Sequence, residues 1–163
     1  MSRSRIGAVL ATALSAAAIA SLALVLSLAG TAAASPSAAP ARAKPAKIKL
    51  RRTGVGKILV SNNGFTLYAF SKDAKRKDRC VNVSGCTGLW PLATTHGKPQ
   101  AGPGVKRSLL GTIRVHGKRQ VTYGGHPLYG YSGDFSPGST SYVGVSQFGG
   151  VWRAVKASGK TVG

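Results

Sequence analysis

Three aspartates, three histidines and two cysteines are the only carboxylate, imidazole and thiol side chains in this chain of 163 residues, which has no glutamate at all. Acid–base or nucleophilic catalysis needs two or three such groups held together and tuned by one another. Here His96, His116 and His126 are scattered, and the aspartates sit among turn residues or lysines and arginines. No catalytic constellation emerges, and no cofactor is expected. His126, at the start of a candidate hairpin, is the one residue singled out for a possible ligand contact. A structural zinc site takes four ligands, or three and a water, and the histidine nearest to Cys80 and Cys86 is His96. In an exported chain two nearby thiols pair, so Cys80 and Cys86 are expected as a disulfide.

Two of the aspartates fall in matching places. "TLYAFSKD" (residues 66–73) and "PLYGYSGD" (residues 127–134) both end a Tyr-x-aromatic-x-x-Asp pattern, formed by Tyr68, Phe70 and Asp73 and by Tyr129, Tyr131 and Asp134. At the same offset of 61 residues Gly56 matches Gly117, Lys57 matches Lys118, Val60 matches Val121 and Gly64 matches Gly125; one residue of slippage then aligns Trp90 with Trp152. A fixed offset means one supersecondary unit used twice.

The elements that carry the pattern read as strands. "KILVS" and "FTLYAF" flank Asn63-Gly64, and "KRQVTY" and "HPLYGY" flank Gly124-Gly125, both dipeptides suited to a turn with positive φ. "IKLRRT" and "LLGTIRVH" lie upstream, so each copy is expected to be a three-stranded meander, with a fourth strand near residues 89–93 and 151–156. Side chains alternate along a strand, which puts Tyr68 with Phe70, and Tyr129 with Tyr131, on the face opposite to Leu67 and Leu128. Apolar residues on both faces mean a strand covered on both sides, with Trp90 and Trp152 as plugs. The aromatics therefore read first as packing, and Asp73 and Asp134 as acceptors for backbone N–H groups just past the strands.

The rest of the chain sets location and charge. Arg3 and Arg5 precede an uncharged stretch from Ile6 to Gly30, and Ala32-Ala33-Ala34 offers the small residues that a signal peptidase needs. Residues 1–34 are thus read as a signal segment, helical and either cleaved or kept as an anchor. Residues 35–49 are read as a disordered basic Pro/Ala linker with too few large apolar side chains to order. Beyond residue 34, 21 basic residues face 3 acidic ones, a surplus of 18 charges. They gather in residues 42–57 and in a loop carrying Lys72, Lys75, Arg76, Lys77 and Arg79, the candidate polyanion contacts. No nucleic-acid motif accompanies them, so sequence-specific reading of DNA or RNA is not expected.

The doubled Tyr-x-aromatic-x-x-Asp pattern, "CVNVSGCTGLWPL", "YGGHPLYGYSGD" and the closing "GGVWRAV" resemble the secreted repeat proteins of unknown function, also called predicted lipoproteins with the Yx(FWY)xxD motif. The resemblance spans nearly all of residues 50–157 and implies an exported, β-rich protein without an assigned activity. The chain departs from it in having no cysteine after the apolar stretch to accept a lipid, and in the basic loop before Cys80.

The expectation is an all-β domain over residues 50–163, made of two tandem, pseudo-symmetric β-meander repeats (about 50–93 and about 109–157) packed into one small sandwich- or barrel-like unit. It is read as bacterial, extracytoplasmic and non-catalytic, with anionic envelope polymers or lipid headgroups as partners. The alternative is a module that binds a small molecule or redox partner through the aromatic face and His126, with an enzyme further behind.

Overall fold

The computed structural model describes residues 44–163; the signal segment and most of the linker lie outside them. The chain is built from short strands in three small sheets. In the first, β1 (Lys47–Thr53) and β2 (Gly56–Val60) form an antiparallel hairpin, and β4 (Gln100–Ala101) runs parallel to β1. In the second, β9 (Gly150–Val155) is flanked by β3 (Tyr68–Phe70) and β10 (Thr161–Val162), and also pairs with β8 (Ser146–Gln147). The third holds β5 (Leu110–Val115), β6 (Lys118–Tyr123) and β7 (His126–Pro127) in antiparallel order. All-β architecture with two repeats is therefore what the chain adopts.

Several expectations need correction. Strand β1 begins at Lys47, so residues 47–49, assigned to the linker on composition, belong to the domain; Ile48 is buried in its core. The turn at Gly124-Gly125 is the tight one expected, with Tyr123 paired to His126 and both glycines at positive φ (57° and 88°). Its counterpart at Asn63-Gly64 is wider. Val60 bridges to Thr66 across residues 61–65, because that loop receives the second repeat: Gly138 N–H donates to the Gly64 carbonyl at 2.9 Å.

The meanders do not close on themselves. β3 of the first repeat pairs with β9 of the second, Phe70 opposite Trp152, while Tyr129 bridges to Leu92 and Ala93 N–H donates to the Leu128 carbonyl at 2.9 Å. Each motif segment thus lies against the Trp segment of the other copy. Residues 89–93 fill the place that β9 fills in the second copy without forming a strand: the short helix α1 (Cys86–Leu89) runs up to Trp90, and Pro91 has no N–H to give a ladder. Tyr68 and Tyr129 exchange both backbone hydrogen bonds, each at 2.9 Å, so the pseudo-twofold passes between equivalent residues.

Strand alternation divides the core as the sequence implies. Leu67, Ala69 and Leu128 join Ile48, Leu59, Val121, Tyr123 and Val155 in one cluster. Tyr68, Phe70, Tyr129, Trp90, Trp152 and the two cysteines form the other.

Candidate functional site

The motif residues form a seam that joins the two repeats. Tyr129 donates its hydroxyl proton to Asp73 Oδ2 at 2.8 Å, and Tyr68 donates to Asp134 at 3.1 Å to Oδ2. The tyrosine of each copy thus bonds the aspartate of the other. Asp73 Oδ1 also accepts the Arg79 backbone N–H at 2.7 Å, the turn role expected for it; Asp134 serves chiefly the tyrosine. Burial, followed by the facing carboxylate, raises both tyrosine pKa values far above the ordinary phenol. Burial also raises Asp73 to about 6, against the pull of the Arg79 N–H and the Tyr129 hydroxyl and with a push from Asp78. It raises Asp134 in the same direction.

The rings continue the seam. Trp90 and Trp152 stack face to face, 3.7 Å between centroids and parallel, on the pseudo-twofold. Phe70 stacks on Trp152 and Tyr131 lies over Trp90, both at 4.4 Å, again across repeats. Tyr68, Tyr129, Trp90 and Trp152 are all 0 % exposed. Fully buried rings offer no platform to a sugar, base or chromophore.

Near one end of the seam a hollow of about 240 Å³ is lined by Ser71, Asp73, His126 and Arg153, among others. Burial lowers the His126 pKa. The hollow is smaller than the roughly 300–1,000 Å³ of ordinary ligand pockets. Cys80 and Cys86 are disulfide-bonded, Sγ to Sγ 2.05 Å, and are buried against the rings. Asp78 caps that turn, its Oδ1 accepting the Val81 N–H at 3.0 Å. Among the described residues no cluster of His, Cys, Asp or Glu could hold a metal ion.

The cations of the basic loop are spread over separate hollows. Residues 74–77 make a tight turn in which Ala74 pairs with Lys77, and the Lys75 side chain lies over Gly125. Lys72 and Arg79 border a separate hollow beside Phe148 and Val83. Of these loop residues only Arg76 reaches a groove of about 800 Å³, which Lys47, Lys98, Arg107 and Arg119 also line. Pro99, Gln100, Ala101, Leu110, Gly111 and Thr112 complete the walls. Five cations from β1, the basic loop, the connection between repeats and β6 thus converge without a facing carboxylate. The three aspartates are engaged elsewhere.

Arg76 is held there under strain. Its φ is 58°, a left-handed conformation that costs a residue with a side chain about 1–2 kcal/mol. The backbone is pinned by Arg76 N–H to the Gly125 carbonyl at 2.7 Å, and its guanidinium reaches the Thr112 carbonyl at 3.3 Å. Lys98, Arg107 and Arg119 were not singled out from the sequence, since they are spread along the chain. The available signal was that no carboxylate stands between Asp78 and Asp134 while arginines and lysines recur.

The interleaved pairing and the reciprocal seam define a tandem β-repeat protein whose two copies share one core. The chain belongs to the family described as a secreted repeat of unknown function, whose model matches residues 49–94 and 112–156. Membership agrees with the repeat boundaries and places the protein among secreted ones. No curated protein and no solved structure matches the chain.

Proposed function

We propose that this is an exported, non-catalytic β-repeat domain that associates with anionic polymers of a bacterial cell envelope, and that the cationic groove is where it does so. The convergence of Lys47, Arg76, Lys98, Arg107 and Arg119 on one groove carries this reading. Like charges brought together repel, and an anion entering between them relieves that repulsion and releases its own counterions. The alternative of an aromatic binding face keeps only the half-buried Tyr131, which lies beside Tyr142, because Tyr68, Phe70, Tyr129, Trp90 and Trp152 are closed inside the seam.

The test is binding of the exported protein to an anionic wall polymer across a salt series. With five groove cations neutralised, affinity should fall by roughly a hundredfold between about 50 and about 200 mM salt. Binding indifferent to salt, or none at low salt, would reject the reading.

A further inference from the structure

Next to the groove lies a second hollow, about 580 Å³, lined by Thr94, Thr95, His96, Gly97, Arg114, Gly117, Lys118 and Arg119. Arg119 lines both hollows, and the two together are taken as one track. Arg114 and Arg119 stand directly opposite one another across β5 and β6. Side chains of such a pair share a face with their Cβ atoms about 5 Å apart, where like charges destabilise the ladder. A pair of guanidinium forks at that spacing can both donate to one tetrahedral anion.

The walls narrow the choice further. No Phe, Tyr or Trp lines either hollow, His96 being the one ring there, so neither offers the row of aromatic side chains on which successive bases or sugar rings stack. Gly111, Ala101, Pro99 and Leu110 instead give a small, smooth apolar contour. Resting on the proposed polyanion reading, we infer that the track takes a polyol phosphodiester chain, with phosphates on Arg76, Arg119 and Arg114 and short CH₂-rich linkers along the apolar wall. Two local observations stand beside the net charge: Arg76 is kept at a positive-φ position that glycine would occupy more easily, as His116 and Phe148 are elsewhere, and Arg114 is paired directly with Arg119.

The experiment compares the full exported protein binding poly(glycerol phosphate), polygalacturonate and oligothymidylate of equal charge at one ionic strength. Poly(glycerol phosphate) should bind about tenfold tighter than either, the worth of one charge-assisted hydrogen bond. Arg119→Lys keeps the charge and removes the fork, and should erase that margin. Arg76→Gly removes a groove charge and the strain together, so it should weaken binding while leaving the melting temperature unchanged or higher. A lowered melting temperature for Arg76→Gly with unaltered binding would make Arg76 merely structural and overturn its place in the track. Equal binding of polygalacturonate would overturn the phosphodiester preference while leaving the polyanion reading intact, and tighter binding of oligothymidylate would overturn it in favour of nucleic acid. If phosphatidylglycerol vesicles compete as well as the free polymer, a membrane headgroup is the ligand and the chain is overturned. Failure of every polymer to bind at low salt would overturn both readings.

Discussion

Tyr129 of the second repeat donates its hydroxyl proton to Asp73 of the first at 2.8 Å, and the mirror of that bond joins Tyr68 to Asp134. The Tyr-x-aromatic-x-x-Asp pattern is therefore a clasp between copies. It can work only when two copies are present and interleaved, which is why neither repeat carries a complete set of partners by itself.

The clasp should appear as coupling. In a double-mutant cycle of Tyr129→Phe and Asp73→Asn followed by urea unfolding, the pair should show an interaction energy of about 1.5–3 kcal/mol, the range for a hydrogen bond to a charged group. Additive losses would mean that the two side chains merely share a neighbourhood.

The raised pKa of Asp73 gives the clasp a pH signature. Folding favours the protonated carboxyl, so the contribution to stability is present in full below the ordinary value of 3.8 and is lost as pH rises through about 6. His126 works in the opposite sense, its lowered pKa costing stability as pH falls. Comparing the wild type with Asp73→Asn cancels the histidine: the variant should gain on the wild type as pH goes from 4 to 7 in urea midpoints. A constant difference would show that Asp73 titrates normally.

Trp90 and Trp152 fill the centre of the aromatic cluster. Trp152→Ala should cost on the order of 3–5 kcal/mol, and the parallel stack should give an exciton couplet in circular dichroism that vanishes in either single Trp→Phe variant. A couplet that survives one of those replacements would place the rings apart.

The disulfide closes a short loop, with a sequence separation of 6, so the chain-entropy model assigns it only about 2 kcal/mol. The paired Cys80→Ser and Cys86→Ser variant should fold with a modestly lowered melting temperature. Complete unfolding would mean that the bond also organises the packing of Trp90.

Much of this fold is legible in residue patterns, and the limits have physical causes. The offset of 61 and the alternation through Leu67, Tyr68, Ala69 and Phe70 suffice to give two repeats and a core on each face. Period-two patterning says which way a side chain points and nothing about which strand lies beside it. The exchange that pairs β3 with β9 was therefore invisible, as was Tyr68 reaching Asp134 rather than an acceptor in its own copy. Charge along the chain is a coarse guide in another way. Density along the chain drew attention to residues 72–79, yet folding lays Lys75 across Gly125 and sends only Arg76 into the groove. The other four groove cations come from positions as far apart as Lys47 and Arg119, which only the packed sheets bring together.

Whether the groove, rather than net charge, binds the polymer is decided by two variants of equal charge. Lys98→Glu with Arg107→Glu reverses two exposed groove residues, and Lys77→Glu with Arg79→Glu reverses two exposed residues outside it. Binding to an anionic wall polymer should fall on the order of tenfold or more in the first variant, with a shallower dependence on salt, and stay near wild type in the second. Equal losses in the two variants would contradict a groove and leave diffuse charge as the whole of the attraction.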